Sequence, residues 1–149
     1  MAKLTINSIL IVCTGNICRS PVAEQLLKKE LHYINICSAG INAKEGKAAD
    51  SIATSLFTKY GITLKEHRAK QLNLEMLRSN DLILVMEELH IRYITSLLPE
   101  CRGKVFYYGQ WLEKKEIVDP YKKSTICYEL VFKEIERASI EWTKKLNGK

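Results

Sequence analysis

The sequence has no apolar run long enough to cross a membrane; nothing in it approaches the ~20 residues such a helix needs. Its first residues, Met1-Ala2-Lys3-Leu4-Thr5-Ile6, lack the apolar stretch and small-residue cleavage site of a secretory signal. A cytoplasmic protein with no membrane insertion is therefore the expectation. A disulfide framework is also missing. The five cysteines (13, 18, 37, 101 and 127) are odd in number and scattered through a chain too long to need staples, which points to reduced thiols. No metal site is expected: Cys13 and Cys18 form the only close pair, and His32, His67 and His90 stand at no ligand spacing from it. The net charge of +6 is not gathered into a basic stripe with interleaved aromatics, so nucleic acid is not an expected partner. Repeats, linkers and low-complexity tracts are absent. What remains, 46% apolar and 27% charged, is the composition of one ordinary globular domain spanning residues 1–149.

The apolar segments alternate in type along the chain. Ile9–Val12 is a continuous β-branched and leucine run, suited to a strand buried on both faces. Pro21–Leu31 reads as a helix, with proline in its first turn and Ser20 as its expected N-cap. Tyr33–Cys37 reads as a strand ending in Ser38-Ala39-Gly40. Ala49–Tyr60 reads as a helix with Ile52, Ala53, Leu56 and Phe57 on one face and Gly61 as its stop. Leu82–Met86 and Val105–Tyr108 are two more strands, with a helix over Glu87–Leu98 between them and Pro99 ending it. From Ser124 to Leu146 a long helix repeats Val131, Ile135, Ala138 and Trp142 at three- and four-residue steps, which assigns Trp142 to the core. Strands alternating with helices predict an α/β doubly wound domain: a four-stranded parallel sheet with helices on both faces. Such sheets bind ligands at the carboxyl ends of their strands. The loops Asn42–Lys47 and Gln110–Lys123 are long enough to shape a site.

At the end of the first strand stands Cys13-Thr14-Gly15-Asn16-Ile17-Cys18-Arg19-Ser20. Here a thiol lies in a loop whose backbone N–H groups can converge, beside a helix N-terminus. Both features favour a bound dianion and a thiolate over a thiol. The amides of residues 14–19 and the planar fork of Arg19 can surround the non-bridging oxygens of a phosphate monoester. The Cys13 sulfur would then lie under phosphorus, in line with the leaving oxygen, ready to form a thiophosphate. Ser20 is placed to donate to that sulfur. Gly15 suits close approach to the ligand and a positive φ, and Asn16 suits a left-handed turn. Cys18 reads two ways, as a packing residue or as a partner for a reversible disulfide with Cys13. A leaving alkoxide or phenoxide needs a proton. Asp119 is the candidate acid, because Pro120 biases it away from helix so that it can project from a loop.

With Cys13–Ser20 and Asp119-Pro120-Tyr121 both present, the chain closely resembles the low-molecular-weight protein-tyrosine phosphatases. The resemblance runs from about Ile9 to Trp142. It includes Ala23-Glu24, Ser38-Ala39-Gly40, His67-Arg68-Ala69-Lys70-Gln71-Leu72 and Asp81-Leu82-Ile83-Leu84-Val85-Met86-Glu87. Arg102-Gly103-Lys104-Val105, Gly109-Gln110-Trp111 and the segment from Asp119 to Ser124 look most like the bacterial branch. That branch dephosphorylates the tyrosine autokinases governing capsule and exopolysaccharide export. The resemblance implies a flavodoxin-like fold, no cofactor, and a monomer whose partner is a tyrosine-phosphorylated protein. Residue by residue it implies Cys13 as nucleophile, Arg19 as phosphate and transition-state binder, Asp119 as general acid and base, and Thr14, Gly15, Asn16, Ile17, Cys18 and Ser20 as the phosphate loop. It further implies a hydrogen-bonded network of Asn16, Ser38, Glu24 and His67 beneath that loop, with Tyr121 lining the cleft. One departure is Lys44, which stands near a place where the family usually carries an apolar or aromatic wall residue.

Two rival readings have distinct requirements. A thiol-dependent arsenate reductase shares this fold and anion loop but needs two further cysteines after the third strand, where Val85-Met86-Glu87-Glu88-Leu89-His90-Ile91 has none. A non-catalytic phosphotyrosine-binding module would have no use for nucleophile, arginine and acid together.

Overall fold

The first strand, β1, is Ser8–Cys13, one residue longer at each end than its apolar run. The structure, a computed structural model, describes residues 5–148; most of the N-terminal stretch that lacks a signal pattern lies outside the described residues. After β1 come α1 (Arg19–Glu30), β2 (Asn35–Gly40), α2 (Ser51–Thr58), α3 (Leu74–Ser79), β3 (Leu82–Val85), α4 (Glu88–Leu97), a 3-10 segment (Pro99–Lys104), β4 (Val105–Tyr107) and α5 (Thr125–Leu146). The four strands are parallel in the order β2-β1-β3-β4, the doubly wound arrangement the alternation predicted. No helix among the described residues is long and apolar enough to cross a membrane.

The pleat divides the core. Ile9, Ile11 and Cys13 of β1, with Leu82 and Leu84 of β3, face α1, α2 and α5. Leu10 and Val12, with Ile83 and Val85, face α3 and α4. All four residues of β3 are buried, as in a strand covered on both sides. Along α5 the predicted stripe Val131, Ile135, Ala138 and Trp142 is buried, and the Trp142 indole N–H donates to the Tyr108 carbonyl at 2.8 Å.

Several local expectations are corrected. Helix α1 begins two residues before Pro21, and its N-cap is Cys18, with no side-chain cap bond. Ser20 lies inside the first turn, where its hydroxyl is used on the loop instead. Strand β2 starts two residues after Tyr33 and runs on through Ser38-Ala39-Gly40. In α2, capped by Asp50, Ile52 is exposed while Ala53, Leu56 and Phe57 are buried. Helix α3, capped by the Asn73 side chain, falls in a stretch to which the sequence pattern assigned no element.

The end of β2 carries the tightest steric constraint in this region. Gly40 pairs with Cys13 across the sheet, and a Cβ on it would stand 2.4 Å from the Thr14 carbonyl oxygen and 2.9 Å from the Asn16 nitrogen. These are backbone atoms of the loop, so nothing flexible can yield. Gly40→Ala is expected to destabilise the fold by about 1–3 kcal/mol. Gly103→Ala, where nothing lies within 4 Å of the added carbon, should stay within about 0.5 kcal/mol in the same denaturation experiment.

Candidate active site

Between β1 and α1 the chain turns through Asn16, which adopts φ 55 and is fully buried. An asparagine tolerates the left-handed region because its side chain can bond nearby backbone. Here every polar atom of the residue is engaged. Its N–H donates to Cys13 Sγ at 3.3 Å. Its Nδ2 donates to Ser20 Oγ at 2.8 Å and to Ser38 Oγ at 2.9 Å. Its Oδ1 accepts from the Lys70 N–H at 2.9 Å, and its carbonyl accepts from His67 Nε2 at 2.6 Å. Gly15, by contrast, is not in the left-handed region, and a Cβ there would meet only ordinary contact. The positive φ expected at Gly15 is carried by Asn16.

These donors fix the direction of the remaining protons. An amide NH2 can only donate, so Ser20 Oγ accepts from Asn16 and its own proton is free to be given to an ionised Cys13 Sγ, 2.9 Å away. A thiolate at this position thus faces two donors, Ser20 O–H and Asn16 N–H. By the same argument Ser38 donates to Glu24 Oε1 at 2.5 Å, and Glu24 Oε2 accepts from Lys28 at 2.6 Å. Asn16, Ser38, Glu24 and His67 therefore form one connected set beneath the loop. Burial pushes the His67 imidazole below its ordinary range, consistent with a neutral ring donating through Nε2.

Arg19, the first residue of α1, is 1% exposed. Both hydrogens of its Nη1 are committed to the protein, to Glu87 Oε2 at 2.6 Å and to the Ile117 carbonyl at 2.8 Å. Nη2 stands 3.4 Å from Thr14 Oγ1 and 3.5 Å from Asp119 Oδ2. The Nε–Nη2 edge is left as the fork for an oxyanion. Glu87, just beyond β3, is thus a site residue to which the motif reading assigned no role. Its signal was its place at the carboxyl end of a buried strand.

His90 was missed as well. Its Nδ1 accepts from the Glu87 N–H at 3.0 Å, so the ring proton sits on Nε2, which donates to Thr14 Oγ1 at 2.9 Å. The Thr14 hydroxyl, already accepting, has its own proton free to point into the cleft. Burial, and secondarily the Arg19 charge, hold the His90 imidazole down to about 3.

A cleft of about 290 Å³ opens over the loop. Cys13, Thr14, Gly15, Ile17, Cys18 and Arg19 form its floor, and Asp119 and Tyr121 form one wall. Lys44 lines it, joined by Lys122 and by Asn42 and Lys47, the last two of which motif reading did not single out. The Asp119 side chain is 44% exposed, and its Oδ1 accepts from the Tyr121 N–H at 3.0 Å. Cys18 is buried beside it all; burial first, then the nearby Cys13, push its thiol well above the usual range. Among the described residues no group of three His, Cys, Asp or Glu side chains could hold a metal ion.

Comparison with known proteins places this geometry. The family model described as low molecular weight phosphotyrosine protein phosphatase matches residues 8–149. The chain is 49% identical to the low molecular weight protein-tyrosine-phosphatase Etp of Escherichia coli strain K12, over 99% of each chain. The tyrosine phosphatase Wzb of Escherichia coli K30, solved with sulphate, superposes with a TM-score of 0.93 at 43% identity, covering 95% of this chain and 99% of that one. A more distant solved neighbour is the arginine phosphatase YwlE of Geobacillus stearothermophilus, at 33% identity and a TM-score of 0.89, covering 95% and 94%.

The neutral His90 has a consequence for acid stability. In the unfolded chain a histidine binds its proton near ~6.5, whereas folded His90 does so only at about 3. Between those values the unfolded state holds the extra proton, so stability falls as pH drops. His67, also pushed down, adds in the same direction. At pH ~5 the His90 contribution amounts to at most about 2 kcal/mol. Denaturant unfolding at pH ~7 and ~5 should show His90→Gln losing less stability on acidification than the unchanged protein. Equal losses would mean that His90 protonates normally in the fold.

Proposed function

The chain belongs to the low molecular weight phosphotyrosine protein phosphatase family, and from that premise we propose that it hydrolyses phosphotyrosine in proteins through a phosphorylated Cys13. The observation that carries this reading is the convergence of two hydrogen-bond donors on the Cys13 sulfur at the floor of a cleft whose wall holds Asp119. The phosphate would rest on the loop amides, the Thr14 hydroxyl and the Nε–Nη2 edge of Arg19. Sulfur attacks phosphorus, the P–O bond to the tyrosyl oxygen breaks, and the Asp119 carboxyl gives that oxygen its proton. Asp119, now a carboxylate, takes a proton from the water that attacks the cysteinyl phosphate. Ser20 O–H and Asn16 N–H stabilise the departing thiolate, and free phosphate leaves.

Two alternatives fit the site less well. Of the five cysteines only Cys13 and Cys18 line the cleft, too few for the thiol relay of an arsenate reductase. A phosphoarginine leaving group would bring a cation into a cleft already lined by Lys44, Lys47 and Lys122, whereas Ile17 and Tyr121 suit a tyrosyl ring. The physiological substrate we assign is a bacterial tyrosine autokinase of polysaccharide export. The bacterial-branch motifs at Arg102–Val105, Gly109–Trp111 and Asp119–Ser124 support that assignment.

Turnover of p-nitrophenyl phosphate is expected without added metal and should vanish in Cys13→Ser and Arg19→Ala. Phosphotyrosyl peptide should be hydrolysed and phosphoarginyl peptide spared. Asp119→Asn should slow alkyl or unsubstituted phenyl phosphates by about 10²–10⁴-fold and p-nitrophenyl phosphate much less, because the better leaving group needs no proton. An equal loss on both would remove the acid role from Asp119. Cys13→Ser used as a trap should retain a phosphorylated tyrosine kinase from a lysate of the parent bacterium. Retention of other phosphoproteins only would overturn the autokinase assignment.

A further inference from the structure

We propose that the rim of this cleft selects phosphotyrosines flanked by further negative charge, whether carboxylate or a second phosphate. The inference rests on the phosphatase reading above and names a substrate feature that the reaction itself does not require. Lys44, Lys47 and Lys122 all line the cleft and are exposed. None of them belongs to any ion pair among the described residues. The acidic neighbour of Lys44 is turned elsewhere: Glu45 accepts from the Gln71 N–H at 2.6 Å. Asp119 is the one carboxylate among the described residues lining the cleft, and the proposed reaction uses it.

Two of the three cations are gathered at the ring that a tyrosyl substrate would meet, and Lys44 lines the same cleft. Lys47 Nζ lies 5.8 Å and Lys122 Nζ 5.6 Å from the centroid of the Tyr121 ring, within reach of a cation–π attraction. Lys122 is held there by unusual backbone. It adopts φ 63 in a turn closed by the Lys123 N–H and the Pro120 carbonyl at 2.9 Å, a conformation that glycine or asparagine adopts more readily. The phosphate has its own donors in the loop and in Arg19. The rim cations come from other segments, the loop after β2 and the turn before α5. Charge so placed acts on whatever flanks the phosphotyrosine, attracting anionic neighbours and repelling basic ones.

The test compares kcat/KM on four substrates: three phosphotyrosyl peptides of equal length, flanked by Asp and Glu, by Gln, or by Gln plus a second phosphotyrosine, and p-nitrophenyl phosphate, which has no flanks. At low ionic strength we expect the acidic or the doubly phosphorylated peptide, or both, to exceed the neutral one by about tenfold, since three exposed charge contacts each contribute modestly. The two arms identify the source of the charge. The preference should fade at about 1 M salt, where screening is nearly complete. In a Lys44→Gln/Lys47→Gln/Lys122→Gly variant, in which glycine relieves the left-handed backbone, the peptide ratio should fall to near one while the melting temperature holds. Equal rates on neutral and anionic peptides would overturn the proposal. So would a variant that keeps the ratio, or one that loses p-nitrophenyl phosphate turnover by the same factor as anionic-peptide turnover. Absence of p-nitrophenyl phosphate turnover in the unchanged protein would instead sink the phosphatase reading.

Discussion

Asn16 is the residue on which the site depends. It holds a buried left-handed turn with no polar atom unmet, and one of its bonds goes to the Cys13 sulfur. Such a turn without those bonds would leave several buried polar groups unpaired, each costing about 1–3 kcal/mol. With them, the loop has one conformation in which Ser20 is placed to donate to a thiolate and Ser38 donates to Glu24. The same bonds link three elements: the loop after β1, the Ser38 position on β2, and the segment carrying His67 and Lys70. The Cys13 sulfur is thereby oriented by the fold before any ligand arrives, so the proposed attack on phosphorus needs little reorganisation.

A second constraint acts on Arg19. A buried guanidinium is unfavourable unless its charge and its hydrogens are met, and Glu87 with the Ile117 carbonyl meets one edge of it. That leaves the other edge directed at the cleft with little freedom. The parallel sheet makes this possible: β1, β2 and β3 end side by side, so Cys13, Gly40 and Glu87 come from distant parts of the chain to one rim. Gly40 supplies the complement, an absence of side chain that lets the loop backbone approach. His90 then sets the last hydroxyl, leaving the Thr14 proton free to point into the cleft.

The parts legible in the sequence are those encoded by a single local pattern. The four strands showed as short apolar runs, α5 as a stripe of helical period, and the loop between β1 and α1 as a thiol, glycine and arginine at fixed spacing after a strand. Less legible were features that depend on tertiary partners. Ser20 has the composition of an N-cap, but its hydroxyl is claimed by Cys13 and Asn16, so the helix starts earlier. A glycine in a phosphate loop suggests a positive φ; here the asparagine beside it takes that conformation because its side chain has three partners waiting. Helix α3 is too short for a periodic signal and depends on the Asn73 cap. Glu87 and His90 lie far in sequence from the residues they orient, so no spacing rule could join them to Arg19 and Thr14. Lys47 and Lys122 are far apart in sequence, and only the fold puts them around one ring.

The central claim is that phosphorus passes through the Cys13 sulfur. Rapid quenching of turnover with a phosphotyrosyl peptide carrying radiolabelled phosphate, followed by peptide mapping of the protein, addresses it directly. The account predicts label on the peptide containing Cys13, appearing before free phosphate accumulates and absent from Cys13→Ser. Free phosphate released at full rate with no label ever passing through that peptide would contradict it.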